Sequence, residues 1–306
     1  MINKNEDSKN NSSTLKSAIN NLRRQDGIVI EQKNNERIAI YPAELLNETE
    51  QKKYPLTNSP TLIKLAKRAG LLPALVVLPI NDLTKNWEVF SEEILEQALQ
   101  ETGDKIFETA RAKLPIDGAE DAVIASFRAQ GDEAVHLALI IGKSKNNELP
   151  VVRVHSSCVT GDLLGSLRCD CGDQLKLALA TIKAAGYGVL LYLNQEGRGI
   201  GITNKFRAYQ LQEQGLDTYA ANHALGFESD ERDFNAASSI LKHLGISEIK
   251  LLSNNPHKVA EIEKHGITIA QRVPLIVQAG EHNRAYITAK AQKAGHILGD
   301  NVGESD

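Results

Sequence analysis

The residues best suited to chemistry in this chain are its three cysteines, Cys158, Cys169 and Cys171, which cluster in one short stretch. Zinc prefers thiolate ligands, and three protein ligands with an open fourth position are typical of a catalytic zinc site, where the metal activates water. Glycines that let the backbone fold around an ion are interleaved with the cysteines, at Gly161, Gly165 and Gly172. The cluster therefore predicts one zinc ion per chain.

Two other interpretations of the cluster stay open. Free cysteines are often buried and inert, so three packed thiols, with His155 as an ordinary strand residue, would give the same pattern. Alternatively, His155 lies three residues before Cys158, within ligand spacing, and would close the site as a fourth, structural ligand. An odd number of cysteines, in a sequence that begins without an apolar signal region, argues against disulfide bonds.

The elements that must position these residues alternate between strand and helix patterns from about residue 112 onward. Apolar runs of strand length fall at 121–127, 135–141, 151–155, 188–193 and 248–253. Helical spacing falls at 174–185, 205–214 and 234–244, and Asn255-Pro256 begins a further helix that ends at Gly266. This alternation predicts an α/β layered domain with a mixed β-sheet flanked by helices, over residues 105–299.

Upstream, the patterns predict a smaller α+β region over residues 15–104. Helices are expected at 15–24 and 60–70, strands at 27–31 and 37–41, and a linking helix at 91–104. The polar residues 1–14 and 300–306 are predicted to be tails, the first of them disordered.

Composition excludes several classes of protein. The chain has 306 residues and a net charge of -4, and it has no aromatic-basic stripe, so a nucleic-acid partner is disfavoured. Its longest apolar run, residues 71–80, contains two prolines and is shorter than the roughly 20 residues that span a bilayer. Residues 1–20 are polar and do not form a secretory signal. We therefore expect a cytoplasmic protein that does not bind membranes.

Seven short runs of residues in the predicted α/β domain resemble the signature runs of the GTP cyclohydrolase II family. They follow one another in order between about Ala112 and Gly299, and together they are highly specific. The runs are Arg153-Val-His-Ser-Ser-Cys-Val-Thr-Gly-Asp, Ser166-Leu-Arg-Cys-Asp-Cys-Gly-Asp-Gln, Gln195-Glu-Gly-Arg-Gly-Ile-Gly, Asn204-Lys-Phe-Arg-Ala-Tyr, Asp217-Thr-Tyr-Ala-Ala-Asn, Leu225-Gly-Phe-Glu-Ser-Asp-Glu-Arg-Asp-Phe and Asn254-Asn-Pro-His-Lys.

The resemblance implies a reaction and its partners. The family opens the imidazole ring of GTP and releases formate and pyrophosphate. The product is 2,5-diamino-6-(5-phosphoribosylamino)pyrimidin-4-one, with which riboflavin synthesis begins. The resemblance also implies a homodimer. A triphosphate usually enters with a divalent ion, so we expect Mg²⁺ with the substrate.

The resemblance assigns roles residue by residue. It implies that the three cysteines bind zinc, that Asp230 accepts a proton, that Arg232 is the nucleophile and that Tyr209 is catalytic. The implied substrate contacts are Arg153, Val154, His155, Ser156, Ser157, Gln174, Glu196, Gly197, Arg198, Thr218, Ser253 and Lys258. Serine at 157 and 253 departs from the glutamate and threonine that the family usually has there, which removes a charge at the first position and keeps the hydroxyl at the second.

These residue types suit the reaction, although other interpretations remain. Glu196 can accept hydrogen bonds from the guanine edge, and arginines can offset the charge of a leaving pyrophosphate. Arg232 suits that second task better than nucleophilic attack, because a guanidinium stays protonated. Taken alone, Asp230 would read as part of a solvated charge run, and Tyr209 as a core or surface residue of an amphipathic helix.

The N-terminal region faintly resembles the two ends of a 3,4-dihydroxy-2-butanone 4-phosphate synthase domain, at residues 17–31 and 60–78. The acidic metal-binding motif of that family is absent, and Gln32-Lys-Asn-Asn-Glu-Arg stands in its place. The resemblance implies a truncated, degenerate remnant without synthase activity. An unrelated small domain is the alternative.

Two further functions remain as alternatives to an active cyclohydrolase. One is a paralogue that stops at the formamidopyrimidine or acts on another nucleotide. The other is a regulatory protein that binds nucleotide and zinc without turnover. Product analysis with GTP, and the effect of Cys169→Ser on formate release, distinguish the three.

Overall fold

The computed structural model describes residues 4–101, 106–129, 134–144 and 148–277. In these residues the α-helices are α1 (Lys4–Arg23), α2 (Glu48–Lys53), α3 (Pro60–Arg68), α4 (Glu92–Glu101), α5 (Cys171–Ala185), α6 (Gly201–Glu213), α7 (Thr218–Ala224), α8 (Asn235–His243) and α9 (Pro256–Lys264). The strands are β1 (Ile28–Glu31), β2 (Arg37–Pro42), β3 (Leu75–Leu78), β4 (Val89–Ser91), β5 (Ile106–Lys113), β6 (Val123–Ala129), β7 (His136–Gly142), β8 (Val151–Ser156), β9 (Tyr187–Leu193), β10 (Glu248–Leu252) and β11 (Thr268–Val273).

The described residues divide into two compact units. The first comprises residues 4–101 and 200–231, and the second comprises residues 106–129, 134–144, 148–199 and 232–277. Residues 200–231 therefore lie inside the predicted 105–299 domain along the chain but pack within the first unit. The predicted domain boundaries stay predictions, and the tail expected at 300–306 lies outside the described residues.

The first unit contains a four-stranded sheet in the order β3-β2-β1-β4. Strand β1 pairs antiparallel with β2 and parallel with β4. Helices α1, α3 and α4 cover this sheet with an apolar core whose largest members include Leu22, Ile30 and Leu65. Ser59 begins α3 by accepting a hydrogen bond from the Leu62 amide, and Pro60 occupies the first turn, which explains the start of this helix.

The helix predictions in this region can be compared with the structure. Helix α1 spans Lys4–Arg23, so it contains most of the helix predicted at 15–24 and begins before it. The disordered tail predicted at 1–14 stays a prediction. The helix predicted at 91–104 is present as α4, and its residues Leu95 and Ala98 are buried in one core with residues of α1 and α3.

The second unit contains a seven-stranded sheet in the order β11-β10-β8-β9-β7-β6-β5. Strands β11, β10, β8 and β9 are parallel, and β7, β6 and β5 continue the sheet antiparallel. The predicted fold class is therefore confirmed: a mixed sheet flanked by helices, plus a smaller α+β region. Among the described residues, no helix combines the length and apolarity needed to cross a membrane.

The central strand β9 explains how the sheet places its helices. Val189 and Leu191 belong to the core shared with α8 and α9, whereas Leu190 belongs to the core shared with α5. Both faces of the strand are covered, as the continuous apolar run predicted. Gly188 allows α5 to approach closely, because a Cβ there would lie 2.9 Å from Ile182 Cγ2. Helix α5 is thereby held against the strand that precedes the predicted Glu196 motif.

Candidate metal centre and its surroundings

The three cysteines come together where β8 ends and α5 begins. Cys158 follows β8 by two residues and precedes a single π-helical turn, while Cys171 is the first residue of α5. The three Sγ atoms lie within 4.8 Å of one another, and the Cys158 and Cys169 sulfurs are 3.7 Å apart. The predicted cluster therefore exists in space as well as in sequence.

The geometry of the cluster fits zinc. With Zn–S bonds of about 2.3 Å in a tetrahedral site, two thiolate sulfurs lie about 3.8 Å apart. Gly161 keeps this space clear, because a Cβ there would lie 2.7 Å from Cys169 Sγ and 3.2 Å from Cys158 Sγ. The amino end of α5 also favours a thiolate at Cys171.

His155 does not join this group. Its Nε2 lies 3.1 Å and 3.2 Å from the two carboxylate oxygens of Asp162, and its ring stacks on Tyr192. Burial lowers the pKa of His155, which the hydrogen bond with Asp162 partly opposes. In the described part of the chain, no histidine or carboxylate completes the three cysteines as a fourth ligand. The geometry thus favours the open three-ligand site over the closed structural one.

Asp162 is a site residue that the sequence analysis missed. Its carboxylate accepts hydrogen bonds from the Cys158 amide at 2.9 Å and from the Tyr192 hydroxyl at 2.9 Å, in addition to its contact with His155. Burial, followed by the hydrogen bond to Asp162, raises the pKa of Tyr192. Asp162 is the last residue of the first signature run, but its position four residues after Cys158 has no pattern that predicts this role. It holds the backbone of a predicted metal ligand in place.

A buried polar chain connects β8 to the start of α5. Arg153 donates to Gln174 Oε1 at 2.7 Å and to the Leu252 carbonyl at 2.9 Å, and Gln174 donates to Asp170 Oδ2 at 2.6 Å. Burial lowers the pKa of Arg153 to about 10, while Cys171 and Asp170 oppose this shift. Two predicted substrate residues, Arg153 and Gln174, are thus in direct contact.

Positively charged side chains cluster beside the hydrogen-bonded residues Arg153, Gln174 and Asp170. The Lys258 ammonium and the Arg232 guanidinium lie 5.3 Å and 5.4 Å from the centre of the Phe234 ring, which is fully buried. Lys258 Nζ also donates to the carbonyl of Val154 at 2.8 Å. The charge of Arg232 contributes to lowering the pKa of Arg153, so the field of one cation reaches the other. Such a cluster is suited to a polyanionic ligand.

Glu196 lies against the cysteine loop. Its carboxylate accepts hydrogen bonds from the Val159 amide at 2.7 Å and from its own neighbour, Gly197, at 3.2 Å. The loop that follows β8 is held to the loop that follows β9 by Ser157, whose hydroxyl accepts from the Gln195 amide at 3.2 Å. Ser156 donates to the Gln195 side chain at 3.4 Å.

The backbone after Glu196 adopts a conformation that side chains rarely take. Gly197 has φ 61° and Arg198 has φ 60°, both in the left-handed region. A non-glycine residue there costs roughly 1 kcal/mol, and such strain concentrates at functional sites. The strained turn therefore supports a functional reason for an arginine at position 198.

Ser253 is placed by local structure. Its hydroxyl is buried and accepts a hydrogen bond from the Asn255 amide at 3.1 Å. The Asn255 side chain in turn accepts from the Lys258 amide at 3.2 Å, which caps the start of α9 as predicted. Ser253 thus supports the turn that positions Lys258.

Three predicted residues belong to the first unit. Tyr209 lies on α6, where the Lys205 ammonium is 5.8 Å from its ring centre. Thr218 is the first residue of α7, which is capped by Asp217. Asp230 lies half-buried in the segment between α7 and α8. The other predicted site residues lie in the second unit.

Taken together, the second unit presents three thiols that fit a metal, a carboxylate beside them and a cluster of cations. This combination is typical of one class of protein: α/β proteins with a candidate open metal site beside groups suited to an anionic ligand.

Comparison with known proteins narrows the class. Residues 108–274 match the profile of the GTP cyclohydrolase II family. A GTP cyclohydrolase-2 of Cronobacter sakazakii is 50% identical over 192 residues, which are 63% of this chain and 97% of that protein. A GTP cyclohydrolase-2 of Azospirillum brasilense is 42% identical over 253 residues, 80% of this chain and 66% of that protein. The chain belongs to the GTP cyclohydrolase II family.

Other relatives are longer than this chain. The riboflavin biosynthesis protein RibBA of Bacillus velezensis is 52% identical over 179 residues, which are 56% of this chain and 45% of that protein. The chain thus spans less than half of this relative and 66% of the Azospirillum protein. The resemblance of the N-terminal region to a synthase domain stays a prediction.

Proposed function

We propose that this chain is a zinc-dependent GTP cyclohydrolase II. It hydrolyses the imidazole ring of GTP and releases formate and pyrophosphate, which leaves 2,5-diamino-6-(5-phosphoribosylamino)pyrimidin-4-one, the first intermediate of riboflavin synthesis. The observation that carries the proposal is the group of three thiols within a matched family segment, in which the Cys158 and Cys169 sulfurs are 3.7 Å apart, close to the separation in a tetrahedral zinc site.

The metal has one task in this proposal. Cys158, Cys169 and Cys171 would hold the zinc ion, which would supply Lewis-acid activation of water for the hydrolysis. The remaining steps fall to the chain's own residues. Asp162 keeps the Cys158 backbone in position, and Glu196 fixes the adjoining turn through the Val159 amide.

The guanine and the phosphates are bound by different groups. The Glu196 carboxylate accepts backbone N–H groups from Val159 and Gly197, and a carboxylate is the type of group that accepts hydrogen bonds from the guanine edge. Arg198, Arg232 and Lys258 stabilise the negative charge that develops as pyrophosphate leaves. This role suits the permanently charged guanidinium of Arg232 better than nucleophilic attack does.

Proton transfer is assigned to Asp230, which accepts a proton. Tyr209 hydrogen-bonds the attacked ring or its water. Thr218 and the other predicted substrate residues complete the binding of GTP. Mg²⁺ enters with the triphosphate, the enzyme is a homodimer, and it acts in the cytoplasm.

The test combines products with metal content. Purified protein is incubated with GTP and Mg²⁺, and formate, pyrophosphate and the pyrimidine product are measured by mass spectrometry alongside zinc stoichiometry. We expect one zinc per chain, and Cys169→Ser should lose both zinc and at least 1000-fold of the turnover while it remains folded. Formamidopyrimidine without formate would indicate a paralogue, and GTP binding without turnover would indicate a regulatory protein.

Two finer parts of the proposal have their own tests. If the enzyme treated with EDTA regains its full rate with zinc alone, Mg²⁺ is not required. Light scattering that gives the mass of a single chain at micromolar concentration would contradict the homodimer.

A further inference from the structure

The segment of residues 200–231 matches the cyclohydrolase family in sequence but packs with the N-terminal region. It lies within the residues that match the cyclohydrolase family, and it carries the proposed catalytic residues Tyr209 and Asp230. In space it packs with residues 4–101, the N-terminal region. Among the contacts between the two parts, two groups of hydrogen bonds and ion pairs stand out, one near Tyr209 and the other beside Asp230.

The first anchor is Glu44, which follows β2. Its carboxylate receives both terminal nitrogens of Arg207 at 3.2 Å and the Leu72 amide at 2.6 Å. Arg207 also donates to Asn204 at 2.7 Å, and the buried Asn204 side chain donates to the Gly70 carbonyl at 3.2 Å. A two-pronged arginine–carboxylate pair fixes orientation as well as distance. Arg207 precedes Tyr209 by two residues on the same helix, so the anchor fixes α6 at this turn.

The second anchor is Lys67 on α3. Its ammonium lies 2.5 Å from Glu231 Oε1, which also accepts the Glu228 amide at 2.9 Å. The same ammonium lies 5.6 Å from the centre of the buried Phe227 ring. Both partners of the ion pair are more than three-quarters shielded from solvent, where a charge pair is screened less than at an open surface. Glu231 is the residue directly after Asp230.

We propose that the N-terminal region is a positioning platform for catalysis, in which Glu44 and Lys67 place Tyr209 and Asp230 through Arg207 and Glu231. Glu44 and Lys67 are positioning residues, and this inference rests on the proposed cyclohydrolase function. A displacement of about 1 Å in a catalytic group can cost roughly 100-fold in rate, so small shifts of the segment should be visible in turnover.

Point variants of the full chain test the platform. Glu44→Ala and Lys67→Ala should each lower kcat for GTP about 10- to 100-fold, with unchanged zinc stoichiometry and a KM within threefold of wild type. Lys67→Arg retains the cation and should keep more than half of kcat. The matched control is Lys33→Ala, which removes the Lys33–Glu96 ion pair in the same region and should change kcat less than twofold.

A combined variant separates positioning from general stability. In a Tyr209→Phe background, Glu44→Ala should lower kcat less than twofold further, because the group it positions is already gone. If the fold-losses in kcat of Tyr209→Phe and Glu44→Ala multiply in the double variant, the proposal is overturned. Unchanged kcat in both Glu44→Ala and Lys67→Ala would also overturn it.

Hydrogen exchange distinguishes this proposal from the proposed function. Amides of α6 should exchange at least 10-fold faster in Glu44→Ala, while those of α5 stay unchanged. If wild type releases no formate, the cyclohydrolase proposal fails and the exchange result still decides whether Glu44 holds the segment. Unchanged exchange in α6 would show that it does not.

Discussion

The two sheets of this protein bury different kinds of residue. Within residues 10–100, around the four-stranded sheet, the buried polar side chains are Thr61 and Thr84, neither of which ionises. In the described part of the second unit, the buried set includes ionisable side chains: His136, Arg153, His155, Asp170, Glu196 and Lys258. Burying a charge costs free energy, so the second unit accepts a stability cost that the N-terminal sheet avoids.

This difference in buried residues indicates that the two cores have different roles. An apolar core stabilises the fold through burial alone, whereas a core with charges and hydrogen-bonded chains is typical of a site that must bind and act. The comparison predicts that substitutions in the apolar core of the four-stranded sheet lower stability but not activity. Substitutions of the buried charges in the second unit should lower activity but not stability.

The largest effect is expected at Gly161, whose missing side chain leaves room for the thiols. Gly161→Ala places a Cβ against Cys169 and Cys158, so the sulfurs cannot keep tetrahedral spacing. We expect substoichiometric zinc and at least a 1000-fold loss of turnover, measured by metal analysis and formate release. Gly165→Ala is the control, because a Cβ there meets no atom within 4 Å, although its positive φ adds modest strain. Full zinc occupancy in Gly161→Ala would contradict the prediction.

The apolar core of the four-stranded sheet should respond in stability and not in chemistry. Ile30→Ala removes a fully buried side chain, and we expect the free energy of unfolding to fall by about 2–5 kcal/mol. Urea unfolding measures this change, and kcat/KM below the transition should stay within twofold of wild type. A large loss of activity without loss of stability would overturn the division between the regions.

The buried charge of Lys258 should show the opposite behaviour. Lys258→Met keeps the length of the side chain, and relief of the buried ammonium offsets the lost hydrogen bond to the Val154 carbonyl. We expect stability within about 1 kcal/mol of wild type and a loss of roughly 100-fold in kcat/KM, about 2.7 kcal/mol of transition-state stabilisation. Lys264→Met, at an exposed position of the same helix, is the control. A fall in stability of several kcal/mol would show that Lys258 is structural.

The smallest effect is expected for an exposed ion pair. Arg111 lies 2.6 Å from Glu108 and lowers its pKa, chiefly through their hydrogen bond. A depressed carboxyl pKa contributes stability above its unfolded value near 4.5, and this contribution disappears as the pH falls through the folded value. Arg111→Ala should therefore cost less than about 1 kcal/mol at pH 7, and the difference from wild type should shrink as the pH falls below 4.5 and through the lowered pKa of Glu108. A constant difference between pH 7 and 3 would exclude this electrostatic origin.

Much of the second unit could be predicted from local sequence. The continuous apolar run of β9 and the Asn255-Pro256 cap of α9 report strong, short-range preferences, and both predictions are confirmed. Strand β5 was missed because most of its residues are exposed and it lies at the edge of the sheet. Helix α7 was missed because its seven residues offer too few turns for a periodic pattern.

The packing of residues 200–231 could not be predicted, because it depends on contacts between residues far apart in sequence. Arg207 and Glu44 are 163 residues apart, and Lys67 and Glu231 are 164 apart. Within the site, the spacing of the three cysteines was informative, because few structural roles other than metal binding require cysteines so close together in sequence. The part played by Asp162 was not visible, since a carboxylate four residues after a cysteine has no distinctive pattern of its own.

The left-handed turn at Arg198 has a consequence for engineering. A stability-guided redesign would replace Arg198 by glycine, because glycine adopts this backbone conformation without penalty and the gain would be of the order of 1 kcal/mol. The same exchange removes a guanidinium that the proposed reaction needs. A screen for heat resistance would therefore select against the enzyme it was meant to improve, unless turnover were screened in parallel.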